Sequence, residues 1–251
     1  MVILPFYSFL IGTAEKNRTQ YAFLSHDGRC VPIDIAVRFP SYHANSQSIY
    51  GIWTKNGKDV IGRAKLQPGQ TDFSPLFSLS DKKLSHIAIS PDNQRIAFLA
   101  AQENSRETQL RVIAHEEFGW FPLPFIRLPA AQSPISFCSS DILLYTDTTG
   151  ALSTVRLAKP VKTVGIHHSG RCPAYNAQDK STAFISGTNI IVSNKIQEQL
   201  KATSQTILSF SKNGKELLFT KDDALYRYTL SDQQRHLIFQ ASAPITFIAE
   251  L

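Results

Sequence analysis

Two stretches of the chain repeat one design: "SHIAISPDNQRIAFLAA" at residues 85–101 and "TILSFSKNGKELLFTK" at residues 206–221. Each has a short apolar strand ending on serine (Ser90, Ser211), a turn (Pro91-Asp92-Asn93, Lys212-Asn213-Gly214), and a second strand of Ile-Ala-Phe or Leu-Leu-Phe type. Proline suits the first corner of a type I turn, and Asn or Gly accepts the left-handed conformation that sends the chain back as a hairpin. Weaker copies are "SPISFCSSDILLYTD" and "CPAYNAQDKSTAFIS". A unit recurring along a chain constrains the fold more tightly than composition does, because one such unit cannot bury its apolar faces alone.

Each hairpin is followed by a third and a fourth strand signal, as in "TQLRVIA" then "FPLPFIRLP", and "ALYRYTL" then "RHLIFQA". Taking Tyr21, Ile61, Leu110, Ser153, Ile190 and Tyr226 as equivalent third-strand positions, the spacings are 40, 49, 43, 37 and 36 residues. Four strands in about 40–50 residues is the size of a propeller blade. The expectation is an all-β, six-bladed β-propeller of four-stranded blades, forming a single domain over residues 1–251.

The first unit lacks one strand: "TQYAFLS" is preceded only by "VILPFYSFLIG". The C-terminal run "APITFIAEL" has the pattern of the missing innermost strand. The ring is therefore predicted to close by the C-terminal strand joining the N-terminal blade, built from 1–37 plus 244–251, which removes two sheet edges. The apolar N-terminus, without a basic n-region and with Pro5 early, then reads as a strand rather than a signal peptide. Ile245, Phe247 and Ile248 need not alternate with polar residues in a strand covered on both faces.

Ser90-Pro91-Asp92-Asn93 followed by Ile96-Ala97-Phe98 resembles the TolB-type, WD40-like (PD40) propeller repeat, usually S-P-D-G-x-x-I-A-F. The match covers about fifteen residues around Ser90, and more loosely the unit around Ser211. The resemblance implies the propeller fold. The secretion signal and N-terminal α/β domain that accompany the propeller in TolB are not seen, so it does not imply a periplasmic role.

The remaining signals bear on function. Cys30, Cys138 and Cys172 are odd in number and far apart, so the reading is small buried hydrophobes in a reducing cytoplasm, not disulfides or a zinc site. There is no GxSxG elbow, HExxH pair or glycine-rich phosphate loop. No cofactor, metal or catalytic residue is expected. The formal charge of +6 favours a partner with an acidic surface.

Three clusters are candidates for contact. His167-His168 and Arg171 should lie on a loop between blades. The stretch "HEEFGWFPLPF", 115–125, should be a loop carrying Phe118, Trp120 and Phe121, the residue types that dominate binding hot spots. Lys55, Lys58, Lys82, Lys83 and Arg106 should form a cationic face. Together they predict a non-enzymatic protein-binding propeller acting one-to-one by occlusion, of the kind an immunity protein uses to neutralise a toxin. No membrane contact and no obligate homo-oligomer are indicated. The alternatives are a propeller enzyme with a central-channel site, of lactonase or glycan-cleaving type, and nucleic-acid binding through the basic face.

Overall fold

The computed structural model describes residues 7–15, 18–25, 27–66, 73–102, 105, 107–193 and 195–251. Over these residues the fold is all-β: twenty-four strands in six four-stranded antiparallel sheets, the blades of a β-propeller. Blade one holds β1 (Tyr7–Glu15), β2 (Arg18–Ser25) and β3 (Cys30–Ile33), with β24 (Ile245–Glu250). Blade two holds β4 (Arg38–His43), β5 (Ser48–Lys55), β6 (Lys58–Lys65) and β7 (Ser74–Ser78). Blade three holds β8 (Lys82–Ile89), β9 (Arg95–Gln102), β10 (Thr108–Glu116) and β11 (Gly119–Ala130). Blade four holds β12 (Ser136–Phe137), β13 (Ile142–Thr146), β14 (Ala151–Arg156) and β15 (Lys162–Ser169). Blade five holds β16 (Arg171–Tyr175), β17 (Thr182–Ser186), β18 (Asn189–Val192) and β19 (Lys195–Lys201). Blade six holds β20 (Leu208–Phe210), β21 (Glu216–Lys221), β22 (Ala224–Thr229) and β23 (Arg235–Gln240).

The chain forms two compact units: residues 1–36, 65–72 and 174–251, and residues 37–64 and 73–173. In the first, β24 does complete blade one. It pairs antiparallel with β1 through Phe9↔Glu250, Leu10↔Ala249, Ile11↔Ile248 and Gly12↔Phe247. Ala14 N–H to the Pro244 carbonyl (2.8 Å) and Leu251 N–H to the Ser8 carbonyl (2.9 Å) extend the ladder at its two ends. Ile245 and Ile248 are buried in a cluster with Phe9, Ile11, Leu24, Leu218 and Leu225, whereas Thr246 is exposed and Phe247 meets Tyr21 edge-on at 6.3 Å.

Burial is most continuous on the second strand of a blade. β5 and β9 each carry five consecutive buried residues, and β21 four. Such strands are covered on both faces, which is why they read as unbroken apolar runs.

The repeated turns owe their shape to their first residue. Ser90 Oγ donates to Asp92 Oδ1 and accepts from the Arg95 N–H at 2.8 Å. Ser211 Oγ donates to Asn213 Oδ1 at 2.8 Å and accepts from the Glu216 N–H at 3.1 Å. Asn93 and Gly214 occupy the left-handed position with φ of 60° and 68°. The neighbouring blade grips each turn: Tyr50 Oη donates to Asn93 Oδ1, and Asn176 Nδ2 donates to the Gly214 carbonyl at 2.8 Å. A Cβ on Gly214 would fall 2.3 Å from Asn176 Oδ1. Sequence, turn and blade packing are thus one device.

Two expectations are corrected here. Cys30 is exposed on the outer strand β3 and Cys138 and Cys172 are half-buried, so none is a fully buried hydrophobe. His167 and His168 lie inside β15, and Gly170 alone separates them from Arg171 at the start of β16. The connection between blades four and five is thus a one-residue link, not a loop.

Candidate functional site

The cationic residues gather around a buried acid. Asn56 and Gly57, with φ of 51° and 74°, turn β5 into β6 and hold Lys55 and Lys58 exposed on either side. The next residue, Asp59, is only 8% exposed. Its carboxylate accepts from the Leu84 N–H at 2.9 Å, from Thr54 Oγ1 at 3.2 Å and from the Arg38 guanidinium. This tie between β6 and β8 places Lys58 beside the N-terminus of β8, where Lys83 is exposed and Lys82 half-buried. Lys55, Lys58, Lys82 and Lys83 therefore share one end of blades two and three. Arg106 lies outside the described residues.

The aromatic residues lie at the other end of the same blade. The 115–125 segment is a hairpin rather than a loop: β10 runs to Glu116, β11 resumes at Gly119, and Glu116 pairs with Gly119. Gly119, at φ 133°, supplies a conformation L-residues avoid. Phe118 at the tip is 87% exposed, and Phe121 is 42% exposed. Trp120 folds back, half-buried, edge-on to His115 at 5.2 Å and against the cluster of Ile96, Ile113 and Phe98. Of the six large exposed hydrophobics among the described residues, two thus fall within four positions on one hairpin. Lys83 pairs with Ala101 at one end of blade three and Glu116 with Gly119 at the other, a separation of about 25–30 Å along β10. The two halves of the expected partner surface are not brought together.

Arg171 contacts its neighbour, Nη1 donating to Cys172 Sγ at 3.5 Å. The Cys172 N–H in turn donates to Ser133 Oγ at 3.1 Å. His168 is half-buried in β15, and the side chain of His167 lies outside what the structure describes. Burial pushes the Cys172 thiol up despite Arg171, and burial alone pushes Cys138 up to about 12.

Three features had no signal in the sequence. Asp59 was hidden because one of its partners is a backbone N–H twenty-five residues away. Phe39 and His86, both at φ 48°, sit at register shifts of β4 and β8 with their rings 4.7 Å apart. Burial lowers the His86 pKa to about 4, and its Nδ1 is buried with no hydrogen-bond partner among the described residues. The third is a cleft of about 390 Å³ between blades six and one, lined by Phe9, Glu216, Arg227, Thr229, His236, Leu237 and Ile238.

No protein-family model matches the chain, and no curated protein matches its sequence. Solved structures do. TolB from Acinetobacter baumannii superposes with a TM-score of 0.75 at 13% identity, over 97% of this chain and 66% of that one. The chain thus spans about two thirds of that protein's length. A chain of a nidogen/laminin complex gives a TM-score of 0.69 at 13% identity, over 96% of this chain and 97% of that one. A puromycin-hydrolysing peptidase from Mycobacterium tuberculosis gives 0.58 at 12% identity, over 94% of this chain and 46% of that one. These likenesses establish the propeller fold that the repeat around Ser90 implied. At such identities they carry no activity across.

Proposed function

We propose that the chain is a non-enzymatic protein-binding propeller that engages one protein partner and acts by covering it, in the manner of an inhibitor or immunity protein that neutralises a toxin. The reading rests on one observation, the β10–β11 hairpin that holds Phe118 87% exposed at its tip with Phe121 beside it. A ring presented by a two-strand support loses little conformational freedom on docking and offers a large apolar area. The raised thiol pKa values of Cys138 and Cys172 leave them protonated near neutrality, which suits a role without nucleophilic chemistry. Three cysteines, none of them paired with another, suit a cytoplasmic setting.

The charge around the hairpin refines the expected partner. Glu116 and Glu117 are exposed beside Phe118, so the contact at this end favours an apolar pocket rimmed by cations. An acidic partner surface belongs instead to the lysine end around Asp59.

The test is affinity capture from native extract with wild type, Phe118→Asp and Lys82→Glu/Lys83→Glu as baits, each with and without nuclease. A stoichiometric protein that survives nuclease, is lost with Phe118→Asp, and loses its own activity in the complex is the expected result. Retention that depends only on Lys82 and Lys83 and vanishes with nuclease would overturn the reading in favour of nucleic-acid binding.

A further inference from the structure

We propose that the outer edge of blade six is a peptide-binding site: an extended acidic segment of a partner chain pairs along β23, seats an aliphatic side chain in the cleft beside it and places a carboxylate on Arg227. This site uses none of the residues of the Phe118 hairpin and stands independently of the function proposed above.

β23 ends its sheet, paired on one side with β22 and with no further strand beyond it among the described residues. An unpaired edge is a template for one more strand, and native edges are usually blunted by lysine or proline. Neither residue occurs in Arg235–Gln240, and Leu237 is 56% exposed. The register of β23 on β22 shifts between Leu225↔Phe239 and Tyr226↔Leu237, leaving Ile238 as an extra residue. Strict alternation would send Leu237 and Ile238 to opposite faces. The bulge instead lets both line the cleft, with the buried Phe9 opposite, and bulges recur where a side chain must be re-aimed. At about 390 Å³ the cleft has room for a side chain.

Polar groups set what it takes. Arg227 presents a partly exposed guanidinium whose Nε is buried with no hydrogen-bond partner among the described residues. Glu216 lies 3.4 Å from that nitrogen, close enough for charge attraction but not a hydrogen bond. The partly exposed end of that guanidinium, at the wall of a cleft of mixed polarity, matches a carboxylate, which its terminal nitrogens can grip through two parallel bonds. His236 lines the cleft and Arg235 flanks it, lying over Tyr226 at 5.2 Å, so the surroundings are cationic on balance against the single Glu216. In an added strand, side chains two apart share a face. The fitting segment therefore carries an aliphatic residue and an Asp or Glu two positions from it.

The test is selection of a linear random-peptide library on the full chain, then fluorescence-polarisation affinities of the labelled winners. Winners should carry the aliphatic and acidic residues two apart. Leu237→Asp, at an exposed position, and Arg227→Ala should each weaken them at least tenfold. Val164→Asp, an exposed hydrophobe on the edge of blade four, should leave affinity unchanged. The proposal is overturned if no peptide is enriched, if binding ignores Leu237 and Arg227, or if octanoate fills the cleft while peptides do not. A concentration-dependent dimer abolished by Leu237→Asp would equally overturn it, by making a second copy the occupant.

Discussion

Replacing Ile245 by alanine measures how much the C-terminal strand contributes to blade one. Ile245 is fully buried, between β1 and the Leu218–Leu225 face of blade six. Losing its side chain removes transfer energy and leaves a cavity that the surrounding strands close only in part, together about 2–5 kcal/mol. Deleting Ile245–Leu251 removes Ile248 as well and uncovers the Phe9 and Ile11 side of β1. Burying two isoleucines is worth roughly 3–6 kcal/mol by transfer alone, against a typical total stability of about 5–15 kcal/mol. Urea unfolding followed by circular dichroism and tryptophan fluorescence should place Ile245→Ala about 3 kcal/mol below wild type. The truncated chain should lose its cooperative transition. Thr246→Ala, at an exposed position whose Oγ1 donates to the Gly12 carbonyl at 3.3 Å, should stay within about 1 kcal/mol. An Ile245→Ala variant within that same margin, or a truncation that unfolds like wild type, would refute the strand's structural role.

Three further outcomes follow from the geometry. Asp59→Ala leaves the buried Leu84 N–H without its acceptor and should cost about 2–4 kcal/mol in urea unfolding, while Asp59→Asn should cost less. Gly214→Ala sets a Cβ against Asn176 at a left-handed φ, and should lower stability by about 1–3 kcal/mol, with Asn176→Ala showing a non-additive loss in a double-mutant cycle. His86 takes up a proton more readily unfolded, near pH 6.5, than folded, near pH 4. Stability should therefore be full above pH 6.5 and fall as the pH drops toward 4, by up to about 3 kcal/mol; the extra slope relative to His86→Phe, measured by pH-resolved thermal unfolding, isolates it.

The blades were legible in the sequence because a hairpin turn is a local event. Ser90 and Ser211 make their bonds within five residues, so the same letters produce the same turn. The completion of blade one by β24 could be read because "APITFIAEL" supplied the one strand pattern missing from the first unit. What escaped depends on register or on distance. A bulge cannot be seen in a string of letters, so nothing announced that Leu237 and Ile238 would share one cleft. The separation of the two clusters to the two ends of blade three follows from the strand order itself, since 115–125 joins the third and fourth strands and the lysines flank the second-to-third and inter-blade connections. What escaped was how far the pairing runs: residues 115–125 looked like a loop, whereas Glu116↔Gly119 pairing makes them a hairpin. Cys30 fell on an outer strand, where apolar letters no longer guarantee burial.

The most direct measurement of the central claim is hydrogen–deuterium exchange across the captured partner complex, compared with the free chain. The binding account predicts new protection in residues 115–122 around Phe118, with the Lys55–Lys58 turn unchanged when the partner contact is basic. Unaltered exchange in 115–122, with protection confined to other segments, would contradict it.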